Sequence, residues 1–347
     1  MTSDTIIFEK NALDALTLVV GKFAPPLSRI TLVCDDETLS AIIRQRLKEY
    51  RISDGIKEDT ALVIGAGSEN SVYKAKKTAI SNAFKIIVVS PPWCDALLNV
   101  DAYVFDPQYI LKSDVPSLFG AVVSRANSAS DAAVDNIFYG ERRLTYAKKA
   151  TSLASSLAGR DATEGEIADA AFKSAVLSRF LPSYGEAAVS YLFKASQKTE
   201  LSMGELRMLF APALNALYLY HLKNRRYMTL PPDNEYRKVR LAELGVKCKP
   251  RRLLMGRECL ETEYKLNFCS GETISTLAEA NNILRKGFVK YKALYSDLGF
   301  SLNSVSGDFS AAIALAPDAC RTQGILGVLK DLGELLSLIH ISEPTRP

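Results

Sequence analysis

The chain changes rhythm partway along. Up to about Phe105, short runs that are apolar throughout alternate with amphipathic stretches. Ile30–Cys34 (ITLVC), Ala61–Gly65 (ALVIG), Lys85–Ser90 (KIIVVS) and Ala102–Phe105 read as strands, because they are short, rich in β-branched residues and bounded by polar or turn residues. Between them, Leu39–Tyr50 places Leu39, Ile42, Ile43, Leu47 and Tyr50 at helical spacing, and a second helix is expected over about Ser71–Asn82. Pro91 and Pro92 lack amide hydrogens, so the third strand should stop there. Uniformly apolar strands separated by helices imply a sheet covered on both faces, the α/β pattern.

After Asp106-Pro107 and Pro116 the pattern turns to long helical stretches. Tyr146–Leu157, Glu164–Ser178, Gly185–Ala195, Met203–Leu222, Tyr236–Leu244, Gly271–Lys286 and Gln323–Leu336 are the expected helices. In Glu164–Ser178 the acids occupy the first turns, where the helix dipole favours them, and Ile167, Ala171, Ala175 and Val176 form one apolar face. The expected organisation is a Rossmann-like nucleotide-binding domain over 1–112 and a mainly α-helical domain over 113–337. The last ten residues, 338–347, match no preceding pattern and read as a non-native or disordered tail.

Composition narrows the function classes. Hydrophobic residues make up 48% and charged residues 24% of the 347, the balance of an ordinary globular protein. The net charge of +4 is small and spread out, so nucleic acid is not an expected partner. No apolar run reaches the roughly twenty residues of a membrane helix, and the opening segment lacks the pattern of a signal peptide. The six cysteines are scattered, without a Cys-x-x-Cys pair, which suits reduced thiols and a cytoplasmic location. The most basic region runs from Lys223 to Arg252 and includes Arg237, Lys238 and Arg240. It reads as solvated surface or as an anion site for a phosphorylated small molecule.

The chemistry-bearing motif of the first half is Gly65-Ala66-Gly67-Ser68, between an apolar strand and a helix. Glycine permits a tight turn and close approach to a ligand, and a helix N-terminus offers unpaired amides to a diphosphate. The third glycine of the six-residue dinucleotide fingerprint is missing. A dinucleotide-binding turn and a merely structural one both fit these residues.

Four blocks together resemble the superfamily of glycerol-1-phosphate dehydrogenases, iron-containing alcohol dehydrogenases and 3-dehydroquinate synthases. ALVIGAGSENSVYK (Ala61–Lys74) is similar to that family's Gly-Gly-Gly-Ser-x-x-Asp-x-x-Lys turn, with Ala66 for a glycine and Ser71 for the aspartate. IIVVSPP (Ile86–Pro92) stands for a strand ending in Pro-Thr, and PSYGEAAVSYLF (Pro182–Phe193) for Pro-x-Ser-Gly-x-Glu-His-x-x-Ser-His, one residue shorter. RTQGILGVLKDLG (Arg321–Gly333) resembles the closing Arg-x-Thr-x-Leu helix of the glycerol-1-phosphate branch. The resemblance implies a dehydroquinate synthase-like fold, NAD(P) held by Gly65, Gly67, Ser68 and Lys74, and an active site between two domains.

The same resemblance implies a metal held by one carboxylate and two histidines, and here the residues depart from it. Ser117–Arg125, where the carboxylate is expected, contains no acid. Ala187 and Tyr191 stand at histidine positions, and Met203-Gly204-Glu205 replaces His-Gly-Glu. Only His221 and His340 occur in the chain; His221 reads as a packed or helix-terminal residue, and His340 lies in the tail. No metal is therefore expected. Without a Lewis acid, an electrophile for hydride transfer would have to be a side chain such as Arg125, Lys194, Tyr184 or Tyr191, none of which the sequence singles out. The expected function is an NAD(P)-dependent glycerol-1-phosphate or related polyol dehydrogenase with a degenerate metal site. The alternatives are a non-catalytic nucleotide- or protein-binding homologue and a dehydroquinate synthase-like cyclase.

Overall fold

The computed structural model describes residues 5–139, 142–181, 184–197, 199–224, 271–296, 309–319 and 324–331. The helix expected at Tyr236–Leu244, most of the basic region after Lys223, His340 and the tail over 338–347 lie outside the described residues. The described residues form two compact units. One draws on Met1–Leu118 and Thr163–Arg179, the other on Phe119–Ala162 and Phe180–Pro347.

The first unit is built on a parallel sheet. Its strands are β1 (Thr5–Phe8), β2 (Arg29–Cys34), β3 (Arg51–Ser53), β4 (Thr60–Ala66), β5 (Lys85–Val89) and β6 (Ala102–Phe105), in spatial order β1-β6-β5-β4-β2-β3. Its helices before the boundary are α1 (Leu16–Gly21), α2 (Glu37–Arg46) and α3 (Glu69–Ser81). The four expected strands are present within a residue of their predicted limits. All four are interior to the sheet, and in β4, β5 and β6 nearly every residue is buried. The two strands that the pattern did not reveal, β1 and β3, lie at the two edges and are only partly buried. An edge strand of three or four residues has too little burial to produce a distinctive apolar run.

Chain order reverses between β2 and β4. From β2 the chain steps outward to β3, then returns to β4 on the other side of β2. In an open α/β sheet this switch leaves a crevice beyond the carboxyl ends of the two diverging strands. The register pairs Val33 with Gly65 and Cys34 with Ala66, so the residues after β2 and the glycine turn after β4 emerge side by side.

The second unit is helical. After α4 (Val115–Val123) come α5 (Ser128–Tyr139), α6 (Arg142–Gly159), α8 (Gly185–Gln197), α9 (Met203–Asn224), α10 (Gly271–Ser296), α11 (Phe309–Ala319) and α12 (Ile325–Asp331). Helix α7 (Glu164–Ser178) matches its expected limits and is fixed at its start by a capping box between Thr163 and Glu166. The sequence reading groups it with the C-terminal helices, whereas it belongs to the sheet unit. Phe172 stacks on Phe8 with ring centroids 4.4 Å apart and planes 13° from parallel. Helical periodicity shows that a face is apolar, not which distant surface receives it.

Side-chain interlock holds the helical unit. Phe193, Phe210 and Phe309 form an aromatic triangle with centroids 4.9–5.3 Å apart. A Cβ on Gly120 of α4 would come within 2.5 Å of the Gly204 carbonyl oxygen of α9, so only glycine permits the two backbones to approach this closely. Asn215 Nδ2 donates to Asn127 Oδ1 at 2.8 Å and to the Leu277 carbonyl at 3.2 Å, joining three segments through one buried amide.

Candidate functional site

The turn at the switch point is built by its sequence. Gly65 lies where β4 meets α3, and a Cβ there would stand 2.6 Å from the Ala75 Cβ. Gly67 has a φ of 83°, a left-handed backbone that favours glycine. Any Cβ on Gly67 would also fall 2.6 Å from Asp35 Oδ1. Ser68 then caps α3, its Oγ accepting from the Ser71 amide at 3.3 Å.

Asp35, directly after β2, closes the arrangement. Its Oδ1 accepts from the Ser68 amide at 2.9 Å, and its Oδ2 accepts from the Ser68 hydroxyl. Partial burial pushes the Asp35 carboxyl upward, but the hydrogen bonds from Ser68 and Ser71 outweigh it and hold the carboxyl below its ordinary value. Asp35 is thus a stable anion at the N-terminus of α3. On the other side, Gly67 N donates to the Val89 carbonyl at 3.2 Å, and Trp93 Nε1 donates to the Gly67 carbonyl at 3.3 Å. The Pro91-Pro92-Trp93 segment that ends β5 thereby forms one wall of the turn.

Of the four residues expected to hold a cofactor, the structure brings Gly65, Gly67 and Ser68 into one turn. Lys74 lies farther along α3 and is exposed. The lysine of α3 that reaches back is Lys76, whose ammonium donates to the carbonyls of Asp95 and Leu98. Burial lowers its pKa to about 8, against the opposing influence of Asp95 and Glu69. Sequence reasoning missed Asp35, Lys76 and Trp93, although an acid immediately after an apolar strand was a signal for the first.

The helical unit contains a second polar constellation. Asp131 and Asp135 on α5, Glu186 on α8, Arg125 in the turn between α4 and α5, and Tyr184 before α8 are all buried. Asp131 Oδ1 accepts from the Ile325 amide at 2.8 Å, and Arg125 Nη1 lies 3.9 Å from Glu186 Oε1. Asp135 accepts from Arg143 at 2.8 Å. Asp131 Oδ2, Glu186 Oε1 and the Tyr184 hydroxyl make no hydrogen bond among the described residues. Burial first, and then the neighbouring Glu186, drives the Asp131 carboxyl well above its usual range. Burial, reinforced by Asp135 and Asp131, drives the Tyr184 phenol upward too.

A metal of the kind implied by the resemblance does not fit this donor set. Among the described residues, no group of three or more His, Cys, Asp or Glu side chains is placed to hold an ion. Ala187 is buried and apolar, Tyr191 is 42% exposed, and Met203 is half-buried at the start of α9. His221 is buried near the end of α9, edge-on to Tyr220, and burial lowers its pKa. Of the suggested electrophiles, Arg125 and Tyr184 belong to the buried constellation, Lys194 is half-buried on α8 and Tyr191 is exposed. No helix among the described residues is long and apolar enough to cross a membrane.

No protein-family model matches the sequence, and no curated protein matches it. Solved structures do match. An alcohol dehydrogenase, ADH/D1, from an archaeal halo-thermophilic Red Sea brine pool source superposes with a TM-score of 0.58 at 12% identity, covering 99% of this chain and 98% of that one. A 1,3-propanediol oxidoreductase gives 0.56 at 10% identity, over 96% of this chain and 100% of that one. A probable glycerol dehydrogenase from Sinorhizobium meliloti 1021 gives 0.52 at 14% identity, over 99% and 98%. The parallel sheet with its Rossmann-like turn, followed by a helical region, is therefore the fold of these alcohol, propanediol and glycerol dehydrogenases, the one that the sequence resemblance implies.

Proposed function

We propose that the sheet unit binds a nicotinamide dinucleotide at the Gly65–Ser68 turn, and that the protein is a dehydrogenase-like oxidoreductase of small alcohols or polyols. The observation that carries this reading is the meeting of Gly67, Ser68 and Asp35 at the switch point of a parallel sheet. Gly67, where a Cβ would collide with Asp35, keeps the turn tight, and the start of α3 supplies a dipole of the right sign for a diphosphate. Asp35 beside the turn can accept from ribose hydroxyls and repels a 2′-phosphate, so NAD is the expected cofactor rather than NADP. When bound, the nicotinamide supplies or receives the hydride. Gly65, Gly67 and Ser68 hold its diphosphate, while Asp35 orients the sugar. The basic sequence after Lys223 favours a phosphorylated substrate such as glycerol 1-phosphate, in keeping with the glycerol-1-phosphate resemblance.

Trp93 offers the test, since it is the chain's single tryptophan and donates to the turn itself. Titration with NAD should change its fluorescence saturably, and turnover should follow with glycerol 1-phosphate and NAD, or with dihydroxyacetone phosphate and NADH. Absence of both the fluorescence change and calorimetric binding overturns the reading. A second reading, a non-catalytic dinucleotide-binding homologue, is favoured by Ala187, Tyr191 and Met203 at the positions where ligands are expected. Saturable binding without turnover on any of these substrates selects it.

A further inference from the structure

The buried acids of the helical unit can be followed one by one to what neutralises them. Among the described residues these are Asp131, Asp135, Glu186 and Asp318. Asp135 is met by Arg143 at 2.8 Å, and Asp318 by the buried ammonium of Lys330. Glu186 sits in the first turn of α8, where the dipole favours its charge, with the Arg125 guanidinium 3.9 Å away; both side chains are all but fully buried. Asp131 faces Glu186 and has one oxygen with no hydrogen-bond partner among the described residues. Burial beside Glu186 raises its proton affinity. Among the described residues, Asp135, Glu186 and Asp318 thus each face a basic side chain.

Arg125 is anchored through its backbone. It lies in the tight turn Ser124–Asn127 between α4 and α5, and Thr151 Oγ1 of α6 donates to the carbonyls of Arg125 and Ala126 at 3.3 Å each. A divalent ion beside Glu186 would have to share that carboxylate with a buried guanidinium. Guanidinium cannot shed its charge to make room.

We propose that Arg125 is the resident cation of the helical unit's polar interior: its guanidinium serves the Glu186 carboxylate in the part a metal would play, and the unit is complete without one. The proposal does not depend on dinucleotide binding. It predicts a protein whose fold is indifferent to chelators, and it identifies Arg125 and Glu186 as a coupled pair rather than two separate packing residues.

The test uses the full chain. Freshly purified protein should carry about 0.1 or fewer zinc or iron ions per chain, and EDTA should move the Tm by less than about 1 °C. Arg125→Met, which keeps volume and removes charge, should lower the Tm by roughly 10 °C, and Glu186→Gln should lower it similarly. The double variant should regain more than half of the summed loss, because removing both charges leaves neither one stranded. Stoichiometric metal, a chelator-sensitive Tm or strictly additive single-variant losses would overturn the proposal. If Arg125→Met fails to fold, metal content and chelator response of the unaltered chain still decide. None of these readouts involves a dinucleotide, so failure of nucleotide binding leaves them standing.

Discussion

The two units treat buried polarity in opposite ways. In the sheet unit, polar groups at the glycine turn are paired on every side: Asp35 to Ser68, Gly67 to Val89, and Trp93 to Gly67. In the helical unit, charges are carried deep inside, and Asp131, Glu186 and Tyr184 each keep an atom without a hydrogen bond among the described residues. The first arrangement holds one backbone shape. The second keeps electrostatic stress in the interior, where losing one partner exposes the full desolvation cost of the other.

Breaking the backbone interlock of the helical unit should have the largest effect. Gly120→Val would drive side-chain atoms into the Gly204 carbonyl, and we expect a loss of about 3 kcal/mol or more in urea unfolding. Asp131→Asn should do the reverse above neutrality. Because its folded pKa is raised, the aspartate contributes fully only below its unfolded pKa, and that contribution is lost as pH rises. The asparagine keeps the acceptor for Ile325 N, so at pH 8 it should gain at least about 1 kcal/mol over aspartate, with the two converging near pH 4 in thermal melts.

In the sheet unit, Asp35→Asn should leave stability nearly intact while moving the NADP-to-NAD affinity ratio upward by about tenfold in fluorescence titrations, a change of roughly 1.4 kcal/mol. Affinity unchanged for both cofactors would separate Asp35 from the ribose side of the site. The smallest effect belongs to the exposed pair Lys173–Asp169 on α7, 2.6 Å apart. Lys173→Ala should cost less than about 0.5 kcal/mol, and salt should erase it.

How much of this was legible follows from the range over which each feature is determined. Strands β2, β4, β5 and β6, the limits of α7 and the turn at Gly65–Ser68 could be read locally, from apolar runs, a capping box and two glycines. The edge strands β1 and β3 could not, since neither is deeply buried. The attachment of α7 to the sheet through Phe172 and Phe8 depends on side chains 164 positions apart in sequence, which periodicity does not register. The site divides in the same way. Gly67 was visible as a glycine after a strand. Asp35 acquired meaning only once β2 lay beside β4, and the acid-free stretch Ser117–Arg125 drew attention away from Asp131, six residues beyond its end.

The chain's path between the units also sets an order on its assembly during synthesis. The sheet unit receives α7 only after Thr163–Arg179 has been made, and by then the segment Phe119–Ala162, which belongs to the other unit, has already emerged. The helical unit closes later still, because the Asp131 carboxylate waits for the amide of Ile325, 194 residues downstream. A ribosome-bound chain therefore carries an incomplete helical interior through most of its translation. Slow closure over such a separation makes this half the one that depends on protection from aggregation while it waits.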